Sequence, residues 1–327
     1  MTAQDRTLDQ YHELMQINAV SRLIRAARQI GFFAELRQGQ RTLEQLCDTL
    51  SIAPGASTLL LDGLTAIGIV EKYGDDFALS RAAHLLCQYD DDLGDASWDR
   101  LVDRIRGEDS RQERDDQQHF SHLAATQWIH TPAAIQAAEI LNLGGEGERA
   151  GPKILDLGCG SAVWSCAMAH RDPQATITAV DHPAALQAAA STADSIGLID
   201  RFETITGDPQ HVDLPEGEFD LVLLAQRVNG LGVEAAQSLL VRAVTAAKAG
   251  GRMVVIDLFR GPTKANLAES VEALKLELDT REGKIRSLQD AQALLESLGL
   301  QRVQFTFLAA SRVNLGLAVG FKPVRGA

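Results

Sequence analysis

Three aspartates and a pair of glycines stand at spacings that could do chemistry. Asp156, Gly158 and Gly160 lie in KILDLGCGSAVWSCAMA, residues 153–169. The apolar residues Ile154, Leu155 and Leu157 run up to the glycine pair, and a helical pattern follows. This predicts a buried strand, a tight turn and a helix start. Gly158 and Gly160 can take backbone angles closed to other residues and let a ligand approach the main chain. The free N–H groups of the new helix aim at the same spot. A dinucleotide fingerprint, G-x-G-x-x-G, needs a third glycine where Val163 stands. Asp156, just before the first glycine, would repel a pyrophosphate and suits a cationic ligand. S-adenosylmethionine fits, with its sulfonium, its amino group and no phosphate. The same turn also reads as a plain βα connection of a doubly wound sheet.

Two further acids close strand-like runs. ATITAVD ends on Asp181 and FETITGD ends on Asp208, with Gly207 before it and Pro209 after it. An acid at the tip of the second strand is placed to accept hydrogen bonds from ribose hydroxyls. One after a third strand can reach an adenine amino group. Carboxylates at the carboxyl edge of a parallel sheet usually serve a ligand. His182 falls either beside the adenosine or simply at a helix start.

The segments LDLGCGSA, AVDHP, ITGDP, FDLVLLAQRVNGLG, KAGGRMVVIDLF and EGKIRSLQDAQALLESLGL resemble the class I S-adenosylmethionine-dependent methyltransferases. More narrowly, the chain is similar to the two-domain small-molecule O-methyltransferases of plant phenolic, acetylserotonin and bacterial pigment and antibiotic pathways. The resemblance spans nearly the whole chain and is specific for fold and cofactor, not for substrate. It implies an aromatic cover over the cofactor, to which Trp128 corresponds, and a cofactor contact at Gln226. It also implies a small-molecule acceptor and a homodimer built through the N-terminal domain.

Transfer to a hydroxyl usually needs a general base. In the resembled family that base is a histidine after the fourth strand. Asn229 stands in its place, and asparagine does not titrate near neutral pH. A second family carboxylate corresponds to Ile285. Three readings stay open: an acceptor that arrives ionised, another base among His119, His122, His130 and Glu282, or loss of methyl transfer with the fold retained. Alternatives to O-methylation are C-methylation, a non-methylating catalyst and, from another class, a winged-helix regulator. Arg227 could meet an acidic substrate or an internal acid.

The 327 residues predict two domains: 1–95, helical and winged-helix-like, and 96–327, the cofactor domain, with linking helices over 96–150. The fold class expected is α/β, a Rossmann-like doubly wound, mostly parallel sheet, from strands and helices alternating after residue 153. Long helices are predicted from Leu14 to Leu36, with Gly31 as a break, and from Phe120 to Leu141, with Pro132 as a kink. Residues 1–12 are expected to be loose. The presumed recognition helix, Ser57 to Ile67, is almost wholly apolar and carries no Lys or Arg. That argues for dimerisation over DNA binding. A net charge of −13 disfavours nucleic acid and anionic membranes. The four cysteines show no C-x-x-C spacing, so no metal is expected. No signal pattern or long apolar span is visible, and a cytoplasmic protein is expected.

Overall fold

The computed structural model describes residues 3–90, 92–108, 113–147, 150–261 and 264–324. The GGEGERAGP loop and the charged 90–118 stretch fall partly outside these residues. The chain divides into two compact units, Met1–Ala96 and Ser97–Ala327.

In the first unit, α1 (Ala3–Ile30) precedes α2 (Phe32–Arg37), and Gly31 between them takes φ +100°. The break predicted at Gly31 is present. Of residues 1–12, expected to be loose, those from Ala3 onward belong to α1, and the first two lie outside the described residues. Then follow β1 (Arg41–Thr42), α3 (Leu43–Leu50) under a reciprocal Thr42–Gln45 capping box, and α4 (Pro54–Ala66), which starts on its proline. The hairpin β2 (Val70–Tyr73) and β3 (Asp76–Leu79) pairs with β1 in the order β1-β3-β2, and α5 (Arg81–Tyr89) follows. Phe32, Leu36, Leu46, Leu61 and Leu64 fill its core. The apolar residues Leu8, Tyr11, Leu14 and Ile17 of α1 remain exposed.

A single turn, α6 (Asp95–Trp98), lies at the division between the units. The second unit continues with α7 (Leu101–Arg106) and α8 (Glu113–Thr126), a 3-10 turn over Gln127–His130, and α9 (Thr131–Ile140). The long helix expected over 120–141 is therefore two helices. Pro132 has no N–H to donate and its ring crowds the carbonyl four residues back, so the α pattern cannot run through it. The chain tightens into 3-10 geometry and restarts, with Pro132 in the first turn of α9.

The sheet then alternates with helices. β4 (Lys153–Leu157), α10 (Val163–Arg171), β5 (Thr176–Asp181), α11 (Pro183–Ser195), β6 (Phe202–Thr206) and β7 (Phe219–Ala225) come first. α12 (Val233–Ala246), β8 (Ala247–Arg260), α13 (Leu267–Asp279), β9 (Arg286–Ser287), α14 (Leu288–Ser297), β10 (Gln301–Phe307) and β11 (Leu315–Phe321) complete it. The strand order is β10-β11-β8-β7-β4-β5-β6. From β8 to β6 the neighbours are parallel, while β11 and β10 add antiparallel. β4 and β7 read as unbroken apolar runs because helices cover both faces, and nearly all their residues are buried. The winding reverses between β4 and β7. A crevice outside the strand tips opens at such a switch point.

Candidate functional site

The turn after β4 sets the site. Gly158 and Gly160 both take positive φ, +79° and +56°, as the sequence requires of them. Asp181, at the tip of β5, is 5 % exposed. Its Oδ2 accepts the Gly160 N–H at 2.9 Å and its Oδ1 accepts the His182 N–H at 2.8 Å. One carboxylate therefore pins the glycine turn to the start of α11. Asp208, after β6, accepts the Gln210 N–H at 2.9 Å and contacts His211 Nδ1 at 2.7 Å. Partial burial works against its ionisation, but those hydrogen bonds and the charges of His211 and Arg227 hold it below the usual carboxylate range. Gly207 donates to the Asp181 carbonyl, and the Pro209 carbonyl accepts from Arg242.

Asp181 and Asp208 face a cavity of about 490 Å³ walled also by Asp116, Phe120, His182 and Arg227. Three carboxylates against one guanidinium make it net negative. Asp156 does not line it. That side chain is 1 % exposed beneath the turn, with Oδ2 accepting the Ser165 hydroxyl at 2.5 Å and Oδ1 buried without a partner. Burial lifts its carboxyl to about 7. Trp128 is 40 % exposed on the 3-10 turn and is not part of the cavity wall. From this segment Asp116, Phe120, Ser121 and Ala124 line the cavity, while Gln127, in the 3-10 turn, holds the glycine turn. Gln127 Oε1 accepts both the N–H and the hydroxyl of Ser161.

Half-buried Gln226 and the buried His130 and Trp164 form a separate group beside the turn. Gln226, at φ +55° past the tip of β7, accepts the Trp164 indole N–H at 3.3 Å through Oε1 and sets Nε2 3.0 Å from His130 Nε2. Indole is only a donor, so the amide oxygen must face it. The Gln226 NH2 then donates to His130 Nε2, which leaves the His130 proton on Nδ1. The imidazole also stacks on Trp164. Burial drives His130 down to about 4, so it is neutral at physiological pH. Its basic lone pair is engaged. Gln226→Leu should strand both partners in the core and lower stability by about 1–3 kcal/mol in urea unfolding; an unchanged midpoint would show that the triad does not hold.

The other base candidates lie elsewhere. Asn229 is 2 % exposed. Its N–H donates to Asp257 Oδ2 at 2.9 Å, its Nδ2 to the Leu258 carbonyl at 2.5 Å, and its Oδ1 accepts from Arg286 at 3.1 Å. Arg286 also donates to the Val228 and Leu231 carbonyls, so Asn229 belongs to a buried knot that fixes the loop after β7. Burial raises Asp257 to about 6 within that knot. His122 is exposed on α8. Burial pushes His119 down to about 4 against the pull of Asp279. Glu282 and Ile285 border a second cavity of about 510 Å³ with Arg104, Arg260, Arg281 and Lys284. Among the described residues no group of three His, Cys, Asp or Glu side chains could hold a metal ion, and no helix is long and apolar enough to cross a membrane.

Residues 154–251, from β4 into β8, match the family model described as a methyltransferase domain. This part of the chain is a methyltransferase domain. Solved structures extend the likeness of fold to nearly the whole chain. The mitomycin 7-O-methyltransferase MmcR superposes with a TM-score of 0.72 at 20% identity, over 98% of this chain and 99% of its own. Human N-acetylserotonin methyltransferase in complex with SAM gives 0.70 at 19%, over 99% of each chain. An O-methyltransferase family protein from Burkholderia thailandensis gives 0.70 at 19%, again over 99% of each. No curated protein matches the sequence. The methyltransferase domain thus places its glycine turn, Asp181 and Asp208 at the edge where the class I fold has its crevice.

Sequence reasoning found the turn and the two strand-tip acids. It missed Phe120, Gln127, Trp164 and Arg286. Gln127 left one trace: a polar residue just before the Trp128 that the resemblance singles out.

Proposed function

We propose that this chain is an S-adenosylmethionine-dependent methyltransferase that methylates a small-molecule acceptor at a hydroxyl oxygen. The observation that carries the reading is the net-negative cavity beside the glycine turn, with Asp181 and Asp208 on its wall. The residues fit the cofactor. Each Asp181 oxygen spends one lone pair on a backbone N–H and keeps another for a ribose hydroxyl. Asp208 is held ionised where an adenine amino group would donate. S-adenosylmethionine, when bound, supplies a methyl group on a sulfonium, so the leaving group comes with it. The protein's part is to orient the acceptor and exclude water.

The geometry favours an acceptor that arrives ionised. Asn229 is committed to its knot, and the lone pair of His130 to Gln226. A cofactor-binding relative that no longer transfers methyl is the second reading, favoured by Arg227 lying over Gly158. Isothermal titration with S-adenosylmethionine and S-adenosylhomocysteine should show one site per chain; silence at millimolar ligand would reject the cofactor reading. Mass spectrometry of acceptors incubated with the enzyme separates the two readings, since transfer adds one methyl group in place of a proton. The exposed apolar residues of α1 support a homodimer through the first unit, and the absence of Lys and Arg from α4 supports assembly there in place of DNA binding. A cytoplasmic setting goes with this reading.

A further inference from the structure

The approach that two glycines leave open is already taken by the protein's own side chains. A methyl group at Gly160 would stand 2.7 Å from Gln127 Oε1, and one at Gly158 would stand 3.0–3.2 Å from Cδ, Cγ and Nε of Arg227. Gln127 is there with partners. Arg227 is not. It is 6 % exposed, its Nε is buried with no hydrogen bond, and no oxygen among the described residues accepts from its guanidinium. What holds it is the Phe120 ring, 3.6 Å from the guanidinium carbon, and the field of Asp181 and Asp208, which works against the burial. Phe120 is itself wedged against Gly230, where a methyl group would meet the ring at 2.6 Å.

Only Nε is buried without a partner, and the side chain lines the cavity beside the turn, so the guanidinium is held by a ring and a field rather than by an acceptor. It lies over Gly158 and shares the cavity wall with Asp181 and Asp208, the acids read as the cofactor's anchors. We propose that Arg227 is a resident cation over the glycine turn that sets the discrimination between the charged sulfonium cofactor and its uncharged thioether product. The inference rests on the S-adenosylmethionine reading above. The two ligands share adenosine and amino acid and differ by one methyl group and one positive charge at sulfur. Adenosine contacts through Asp181 and Asp208 cannot tell them apart, whereas a like charge in a site of low dielectric can. Arg227 therefore favours the thioether over the sulfonium form.

The test is calorimetric titration of the full chain with S-adenosylmethionine and S-adenosylhomocysteine, on wild type, Arg227→Met, Arg227→Lys and Phe120→Leu. Arg227→Met should tighten binding of the sulfonium form by about tenfold, the order of one screened like-charge contact, and leave the thioether within about twofold of wild type. Arg227→Lys keeps the charge and should keep the wild-type ratio. Phe120→Leu removes the ring beneath the guanidinium and should shift the ratio in the direction of Arg227→Met, to a smaller extent. Weaker binding by Arg227→Met, or an equal change for both ligands, would overturn the proposal. Binding of neither ligand by any of the four would overturn the cofactor reading and this proposal with it.

Discussion

Asp181→Asn should weaken cofactor binding as severely as Asp181→Ala. Both carboxylate oxygens accept backbone N–H groups, from Gly160 and from His182. An asparagine offers one acceptor and one NH2. Whichever way it turns, a donor faces a donor and one N–H is left unpaired. A buried unpaired group costs about 1–3 kcal/mol, and the ribose anchor is lost as well. We therefore expect affinity for S-adenosylhomocysteine to fall by roughly 100-fold or more, with a loss of about 2–4 kcal/mol in urea unfolding. Near-normal binding by the isosteric variant would mean that Asp181 neither shapes the turn nor holds the ligand.

Asp156→Asn acts through pH. The buried Asp156 carboxyl titrates at about 7 in the folded chain, because burial penalises its charged form, against an ordinary value near 4 when unfolded. Between these limits the folded state holds a proton that the unfolded state has released. Stability from this group is thus full below about pH 4 and is lost as pH rises toward 7. Asparagine cannot titrate. The stability of Asp156→Asn relative to wild type should climb by roughly 4 kcal/mol between pH 4 and pH 8, followed by urea melts across that range. His119 and His130, both depressed to about 4, make the opposite contribution, with stability falling as pH drops from about 6.5 to 4. They are common to both proteins and cancel in the comparison. A flat difference would place a partner on Asp156 Oδ1 and an ionised carboxylate in the core.

The parts of this architecture that were legible in the sequence are those dictated by short-range physics. The run ILDLGCG can only be a buried strand entering a turn with positive φ, and the register of ATITAVD puts Asp181 at a strand tip. The site beyond those tips depends on partners brought from afar. Asp156 looks like a ligand acid by position, yet the pleat turns it under the turn toward Ser165. Trp128 looks like a cover residue by type, but Pro132 breaks the helix early and rotates Gln127, not Trp128, toward Ser161. The separation between Arg227 and Phe120 is long, and no local pattern announces a ring beneath a guanidinium.

The knot around Asn229 bears on whether a histidine placed at this position could serve as a base. Suppose the histidine of the resembled family were written back. Its ring would inherit the obligations of the carboxamide, giving a proton to the Leu258 carbonyl and receiving one from Arg286. Both nitrogens would be occupied, beside a permanent positive charge. Asn229→His would supply the imidazole and not a free proton acceptor. With Arg286 and the Leu258 carbonyl holding both ends of the side chain, a base for this site would have to come from another position.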